Sequence, residues 1–195
     1  DVKELFLESI YPHLNIASWQ TRFNINDETS TWDIGKLVNV ALRQYPQWII
    51  IGETRGYELY HMMKASQTGH GILTGIHTDQ AEEQIDRMIT LLHEFKPGDD
   101  NVYGSTLTKK LKIGVHLERV GENSQRTVSK IVEFEGYKDN KPIYRTLFEY
   151  DYASGMHVQV GTVSEELAKR LAKESLVETN KIEFILPYIK EGAIV

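Results

Sequence analysis

The sequence predicts an α/β fold: a parallel sheet with flanking helices, followed by an antiparallel β-meander and C-terminal helices. Three observations predict it. Between residues 33 and 95 the apolar periods alternate as helix, strand, helix, strand, helix, which implies parallel strands joined by right-handed crossovers. After a turn-rich stretch at 96–106 the apolar period drops to two. Beyond residue 160 helical spacing returns.

Composition bounds the function. At 195 residues and 41% apolar content the chain can build a real core. A net charge of −6 argues against a broad electrostatic footprint for nucleic acid or anionic lipid. There is no cysteine, which excludes disulfides and thiolate metal sites and fits a reducing compartment. No apolar run approaches the roughly 20 residues that span a bilayer, and no signal peptide opens the chain. The opening Asp1-Val2-Lys3-Glu4-Leu5 reads like the interior of a longer protein.

Each element has a local reason. Residues 1–32 carry short apolar pieces, Leu5 to Ile10 and Ile16 to Trp19, broken by Pro12 and the polar run Asn24 to Thr31; they read as strand and loop. Ile34, Leu37, Val38, Ala41 and Leu42 fall at helical spacing behind Ser30, Thr31 and Asp33 as N-cap candidates, and Pro46 closes that helix. Trp48 to Ile51 is too short for a helix and is bounded by Pro46 and Gly52, so it reads as a buried strand. Tyr57 to Gln67 follows as a helix with Leu59, Met62, Met63 and Ser66 inward, the methionines being ordinary core. Gly71 to Ile76 is the next strand. Ala81 to Phe95 is a helix whose Ile85, Met88, Ile89, Leu92 and Phe95 form one stripe.

Lys96 to Thr106, KPGDDNVYGST, is rich in turn formers and divides a first domain, 1–106, from a second, 107–195. In the second, Leu111, Ile113, Val115 and Leu117 alternate with Lys112, Gly114, His116 and Glu118. A turn at Gly121 to Ser124 leads to a strand from Arg126 to Tyr137, and Lys138 to Lys141 turns into a third strand, Ile143 to Tyr150. Leu167, Ala168 and Leu171 share a helical face behind Thr162 or Ser164 as cap, and a short helix around Ile182 to Ile185 precedes Pro187.

The strand Trp48 to Ile51 delivers Gly52, Glu53 and Arg55 to its carboxyl end, where ligands bind in open α/β sheets. Gly52 permits close backbone approach. In nucleoside triphosphatases the position of Glu53 holds a carboxylate that orients or deprotonates the attacking water; a solvated loop carboxylate is the ordinary alternative. Arg22, Arg43 and Arg55 either offer forked donors to phosphate oxygens or form surface ion pairs. His70 and His77 frame the second strand in TGHGILTGIHT. Seven residues apart on an extended strand they point to opposite faces, which argues against their holding one metal together. At its two ends, one reaches a phosphate and the other senses or packs; the alternative is two hydrogen-bonded structural histidines.

Two glycine patterns lead nowhere. Gly69, Gly71 and Gly75 miss the dinucleotide fingerprint by one residue and precede a strand instead of following one. Gly98 to Thr106 ends like a phosphate-binding loop, but its spacing is one residue too long, its lysine is missing, and Asp99 and Asp100 repel a phosphate. The chain contains no Walker A sequence.

Four segments, in this order, resemble the ATPases of the bacterial and archaeal secretion superfamily, above all the branch with the type IV secretion and Flp/Tad pilus motors. Asp1 to Leu5 resembles the tail of the Asp box, and Trp19-Gln20-Thr21-Arg22 the Glu-Thr-Arg element after it. LRQYPQWIIIGETRG, Leu42 to Gly56, resembles the approach to the family's atypical Walker B, and TGHGILTGIHT, Thr68 to Thr78, its His box. Lys112 to Tyr150 resembles the C-terminal hairpins.

The resemblance implies an incomplete RecA-like sheet and the C-terminal portion of a hexameric secretion, pilus-assembly or conjugation motor. Its cofactors would be ATP and Mg2+, its partners further copies of itself and inner-membrane platform proteins, its place the cytoplasmic face of the membrane, with no direct nucleic-acid contact. Glu53 then resembles the Walker B glutamate. Gly52 stands where a usual Walker B has its magnesium-linked aspartate, so Asp1 and Glu4 of the Asp box become the metal-side contributors, acting through water. His70 and His77 resemble the residues near the γ-phosphate, and Arg22, Arg43 and Arg55 its basic surroundings. Gln47 and Thr54 depart tolerably from the pattern. Lacking a P-loop, the chain alone is expected to bind ATP poorly and hydrolyse it negligibly, and to leave sheet edges unpaired. The competing expectation is a non-catalytic, ATPase-derived interaction module; a DNA translocase is disfavoured by the acidic balance.

Overall fold

The structure, a computed structural model, describes residues 5–24, 30–121 and 124–175. Asp1, Glu4 and the helix expected around Ile182 to Ile185 lie outside the described residues. The chain groups into two contact units: Asp1–His77 with Thr90–Pro97, and Thr78–Ile89 with Gly98–Val195.

In the first unit, Leu7–Ile10 form α1, a single helical turn where strand or loop was expected. The Phe6 carbonyl accepts from the Ser9 and Ile10 amides and closes that turn. Helix α2, Ile34–Leu42, starts as its capping residues dictate: the Asp33 side chain accepts from the Lys36 amide at 2.8 Å. Its Gly35 admits the ring of His61 from α3, Glu58–Ser66; a Cβ there would stand 2.6 Å from His61 Nε2. Leu59, Met62, Met63 and Ser66 are buried, as their spacing predicts.

The strands of this unit are β1, Trp48–Ile51, and β2, Gly71–Thr74, paired in parallel with Trp48 opposite Gly71 and Ile51 opposite Thr74. The reading of β1 as a buried strand needs correction. Ile49 and Ile51 are buried, but Trp48 is 63% exposed and Ile50 40%. Side chains alternate across a strand, and only one face of β1 is covered among the described residues. The Trp48 indole lies along Gly71, where a Cβ would come within 2.6 Å of it.

Helix α4, Gln84–Phe95, buries Ile85, Met88, Ile89 and Leu92; Phe95, half exposed, turns instead to the ring of Tyr60, 5.4 Å away between centroids.

The second unit departs from expectation at 100–110. The turn-rich run is mostly helix: α5, Asp100–Lys110. Its turn-forming residues serve other ends. Asp99 is the N-cap, accepting from the Val102 amide at 3.0 Å, and Lys109 and Lys110 lie in the last turn, where the helix dipole favours cations. Thr106 and Thr108 bond back to the carbonyls of Val102 and Gly104.

The meander has four strands in the order β3 (Ile113–Val120), β4 (Gln125–Lys138), β5 (Lys141–Asp151) and β6 (Met156–Gln159), all antiparallel. Asp139 and Asn140, both at positive φ, form the tight β4–β5 turn. The fourth strand was not foreseen; Asp151 builds the turn into it by accepting from the Ala153 amide and the Ser154 hydroxyl. Period two is present in β3, but with an unexpected polarity. Ile113, Val115 and Leu117 are exposed, whereas Gly114 is buried and His116 half-buried. Gly114 has no side chain because Phe134 and Gln84 occupy its Cβ position, within 2.8 Å.

Helix α6, Glu165–Ser175, opens at Ser164, whose hydroxyl accepts from the Leu167 amide at 3.1 Å. Ser164 donates its own amide and hydroxyl to the buried carboxylate of Glu133. Leu167, Ala168 and the partly buried Leu171 then pack with Leu147 and Val163.

Candidate active site

Two parallel strands end side by side, and their continuations meet. The Thr54 amide donates to the Gly75 carbonyl at 2.9 Å, and the Thr54 and Thr74 hydroxyls lie 2.6 Å apart. Thr54 is buried, so this hydroxyl pair satisfies a group that would otherwise be costly. Gly75 is required here: a Cβ would stand 2.8 Å from the Gly52 carbonyl oxygen.

On this platform Glu53 is held between two cationic or potentially cationic groups. Arg55 Nη2 donates to Oε2 at 2.5 Å, and His77 Nε2 lies 3.1 Å from Oε1. The Glu53 side chain is 21% exposed, and those of Arg55 and His77 are 69% and 91% exposed. The Arg55 hydrogen bond is the largest influence on Glu53 and holds its carboxyl below the ordinary value; partial burial opposes this, and the charges of Arg55 and His77 reinforce it. The group is therefore an ionised acceptor at neutral pH.

The sign of its linkage follows. A carboxyl whose folded pKa is depressed stabilises the fold above its unfolded value, about 4.3, and loses that contribution as pH falls through the lower folded value. Arg55→Met should raise the Glu53 titration midpoint, read by carboxyl carbon NMR, towards the ordinary glutamate value. An unmoved midpoint would exclude the Arg55 contact as its cause.

His70, Arg22 and Arg43, also expected at this site, bond to other groups. His70 precedes β2, at the opposite end of the parallel strands from Glu53, and its Nδ1–H donates to the Pro46 carbonyl at 2.7 Å. Arg43 is the C-cap of α2, and Arg22 pairs through its backbone with Trp32. Arg22 also lines a shallow open cleft of about 410 Å³ with Trp19, Trp32, Leu37 and Val40. Gly52 sits under Gly75, as above. Among the described residues no three His, Asp or Glu side chains are grouped to hold a metal ion.

Sequence reasoning missed Glu58. Its Oε1 accepts from the Arg55 amide at 2.5 Å and the Gly56 amide at 3.1 Å, which fixes the loop that carries Arg55 into α3. The signal was present: a carboxylate three residues beyond Arg55 at a helix start reaches back to exposed amides.

This platform lies within the segment that known families recognise. The family model for "type II/IV secretion system protein" matches residues 14–130, more than half of the chain. The chain belongs to the type II/IV secretion system protein family. Its motif order resembles the same superfamily. A Bacillus anthracis protein described as uncharacterized is 31% identical over 190 residues, covering 90% of this chain and 40% of that protein. The conjugal transfer protein TrbB of Rhizobium radiobacter is 29% identical over 113 residues, 57% of this chain and 33% of TrbB. The type IV pilus assembly ATPase PilB of Pseudomonas aeruginosa is 35% identical over 60 residues, 30% of this chain and 11% of PilB. This secretion-family chain thus spans 40% or less of these relatives. No described helix is long and apolar enough to cross a membrane.

Proposed function

We propose that this chain is the C-terminal part of a hexameric motor ATPase that drives protein or pilin transport, or conjugation, at the cytoplasmic face of a membrane. Residues 1–106 would be its incomplete RecA-like core and 107–195 its meander and helical subregion. The observation that carries the reading is the meeting of Glu53 and His77 beyond the carboxyl ends of two parallel strands, the place where open α/β sheets bind ligands.

The residues present fit one side of a nucleotide site. Glu53, ionised and partly exposed, can accept a hydrogen bond from a water and hold its lone pair toward an electrophilic phosphorus. Arg55 and His77 lie at the same point and can exchange their contacts with Glu53 for phosphate oxygens. Bound MgATP would supply the anhydride to be cleaved and a cation to neutralise developing charge. Asp1 and Glu4 are the proposed metal-side contributors, through water. His70, Arg22 and Arg43 are assigned to the wider surroundings of the nucleotide, with copies of the chain and inner-membrane platform proteins as partners.

The test compares two proteins. On this reading a longer protein carries a Walker A sequence upstream of Asp1 and should hydrolyse ATP with magnesium, whereas the 195-residue chain should show no turnover above buffer. Robust hydrolysis by the 195-residue chain, or none by the longer protein, would overturn the reading; the latter result favours a non-catalytic interaction module.

A further inference from the structure

Within the first unit, the loop that carries Glu53 departs from the ladder it continues. β1 and β2 pair as far as Ile51 and Thr74, so the next pair would be Gly52 with Gly75. In a parallel ladder a residue bonds to the two neighbours of its partner, as the Gly71 amide does to the carbonyl of Gln47, the neighbour of Trp48. By that pattern the Gly75 carbonyl would receive the Glu53 amide. It receives the Thr54 amide instead, at 2.9 Å. One residue is in excess between Ile51 and Thr54, the arrangement of a β-bulge just beyond the strand end.

The extra residue exchanges faces. Ile49 and Ile51 are buried whereas Trp48 and Ile50 are exposed, so period two would carry Glu53 to the covered side and Thr54 to the open one. A slip of one residue reverses that assignment. Thr54 is the buried residue, 2% exposed, and Glu53 meets the exposed side chains of Arg55 and His77. On the covered side the carboxylate would lose its water, at a cost that the bulge avoids. A closed set of bonds holds the bulge. The Thr74 hydroxyl donates to the Gly75 carbonyl at 3.3 Å, so the Thr54 hydroxyl supplies the proton between the two threonine oxygens, 2.6 Å apart. Thr54 thus gives both its amide and its hydroxyl proton to residues 74 and 75.

We propose that Thr54 is a positioning residue for Glu53: through its bonds to Thr74 and Gly75 it holds a one-residue bulge that turns the carboxylate off the covered face of β1 and toward His77. This gives the departure at position 54 a physical role, since an apolar side chain there has no proton to give Thr74. The proposal rests on the reading of Glu53 and His77 as site residues, but its test needs no nucleotide. Failure here and failure of the ATPase reading are therefore distinguishable.

The experiment uses the 195-residue chain and NMR. Amide hydrogen exchange in the parent reads the bulge itself: with intrinsic rates allowed for, the Thr54 amide should exchange about tenfold more slowly than that of Glu53, the protection one hydrogen bond gives. The reverse order would mean a regular ladder and no bulge. Two variants then separate the hydroxyl from the packing: Thr54→Val keeps the branched shape without a donor, and Thr54→Ser keeps the hydroxyl. Nitrogen NMR follows the His77 ring. In Thr54→Val its signals should move to the positions they take in Glu53→Gln, reporting loss of the contact; in Thr54→Ser they should stay as in the parent. Should the valine variant fail to fold, by the dispersion of its β1 and β2 amides, Thr74→Val removes the partner hydroxyl from the other strand and should move the same signals. His77 signals unmoved in Thr54→Val or its substitute, or moved equally by the serine variant, would overturn the proposal.

Discussion

Replacing Glu53 with glutamine should lower ATP turnover by the longer protein about 10²- to 10⁴-fold, the range that a positioned general base contributes, with little change in nucleotide binding. The substitution preserves shape and removes one property, the paired acceptor oxygens that Arg55 and His77 now occupy. A glutamine must present an NH2 group to one of these partners or to the water, so the water loses its acceptor while the loop keeps its packing. On the proposed reading, phosphate affinity would come from other groups, chiefly the backbone amides and lysine of a P-loop. A group that acts only in the transition state shows its loss in kcat and not in KM. Steady-state kinetics on the mutant measure both. Undiminished kcat would remove Glu53 from the mechanism, and a KM that rises with kcat intact would recast it as a binding residue.

Much of this architecture is legible in the sequence because apolar spacing reports burial directly. The Ile34 to Leu42, Leu59 to Ser66 and Ile85 to Leu92 stripes become helices, and WIII and GILT become strands. The proximity of Glu53 and His77 follows from the same reading, since both residues lie beyond the carboxyl ends of neighbouring parallel strands. Partners that are backbone groups are harder to foresee. The carbonyl of Pro46 that receives His70, and that of Thr78 near His116, look the same in any sequence. The hydroxyl pair of Thr54 and Thr74 was equally hidden, because it depends on register and not on composition. In β3 the alternation is genuine, but the polarity of its faces is decided by what packs on them. A glycine beneath Phe134 and a histidine bonded to Ser129 occupy the covered side.

The clearest misreading, the helix α5, yields the second large effect: Gly104→Val should destabilise the second unit by about 3 kcal/mol, at the upper end of overpacking costs. A Cβ at Gly104 would stand 2.2 Å from Tyr137 Cγ and 2.4 Å from Cδ2, atoms near the root of the ring that a small rotation does not clear. The ring is tethered as well, since its hydroxyl donates to Asp86 at 3.1 Å. Burial pushes that hydroxyl well above its ordinary pKa, and the Asp86 bond adds to the effect, so it remains a donor at any working pH. For alanine two effects compete. Helix propensity favours it over glycine by about 1 kcal/mol, while the contact opposes it by about 1–3 kcal/mol; a net loss is expected. The two are separable by a double-mutant cycle with Tyr137→Ala. In that background the clash is gone, and Gly104→Ala should become stabilising by about 1 kcal/mol in denaturant titrations. That reversal of sign is the decisive observation. If Gly104→Ala stabilises the parent protein too, α5 is not held against Tyr137, and the glycine is only the turn former that its neighbours suggest.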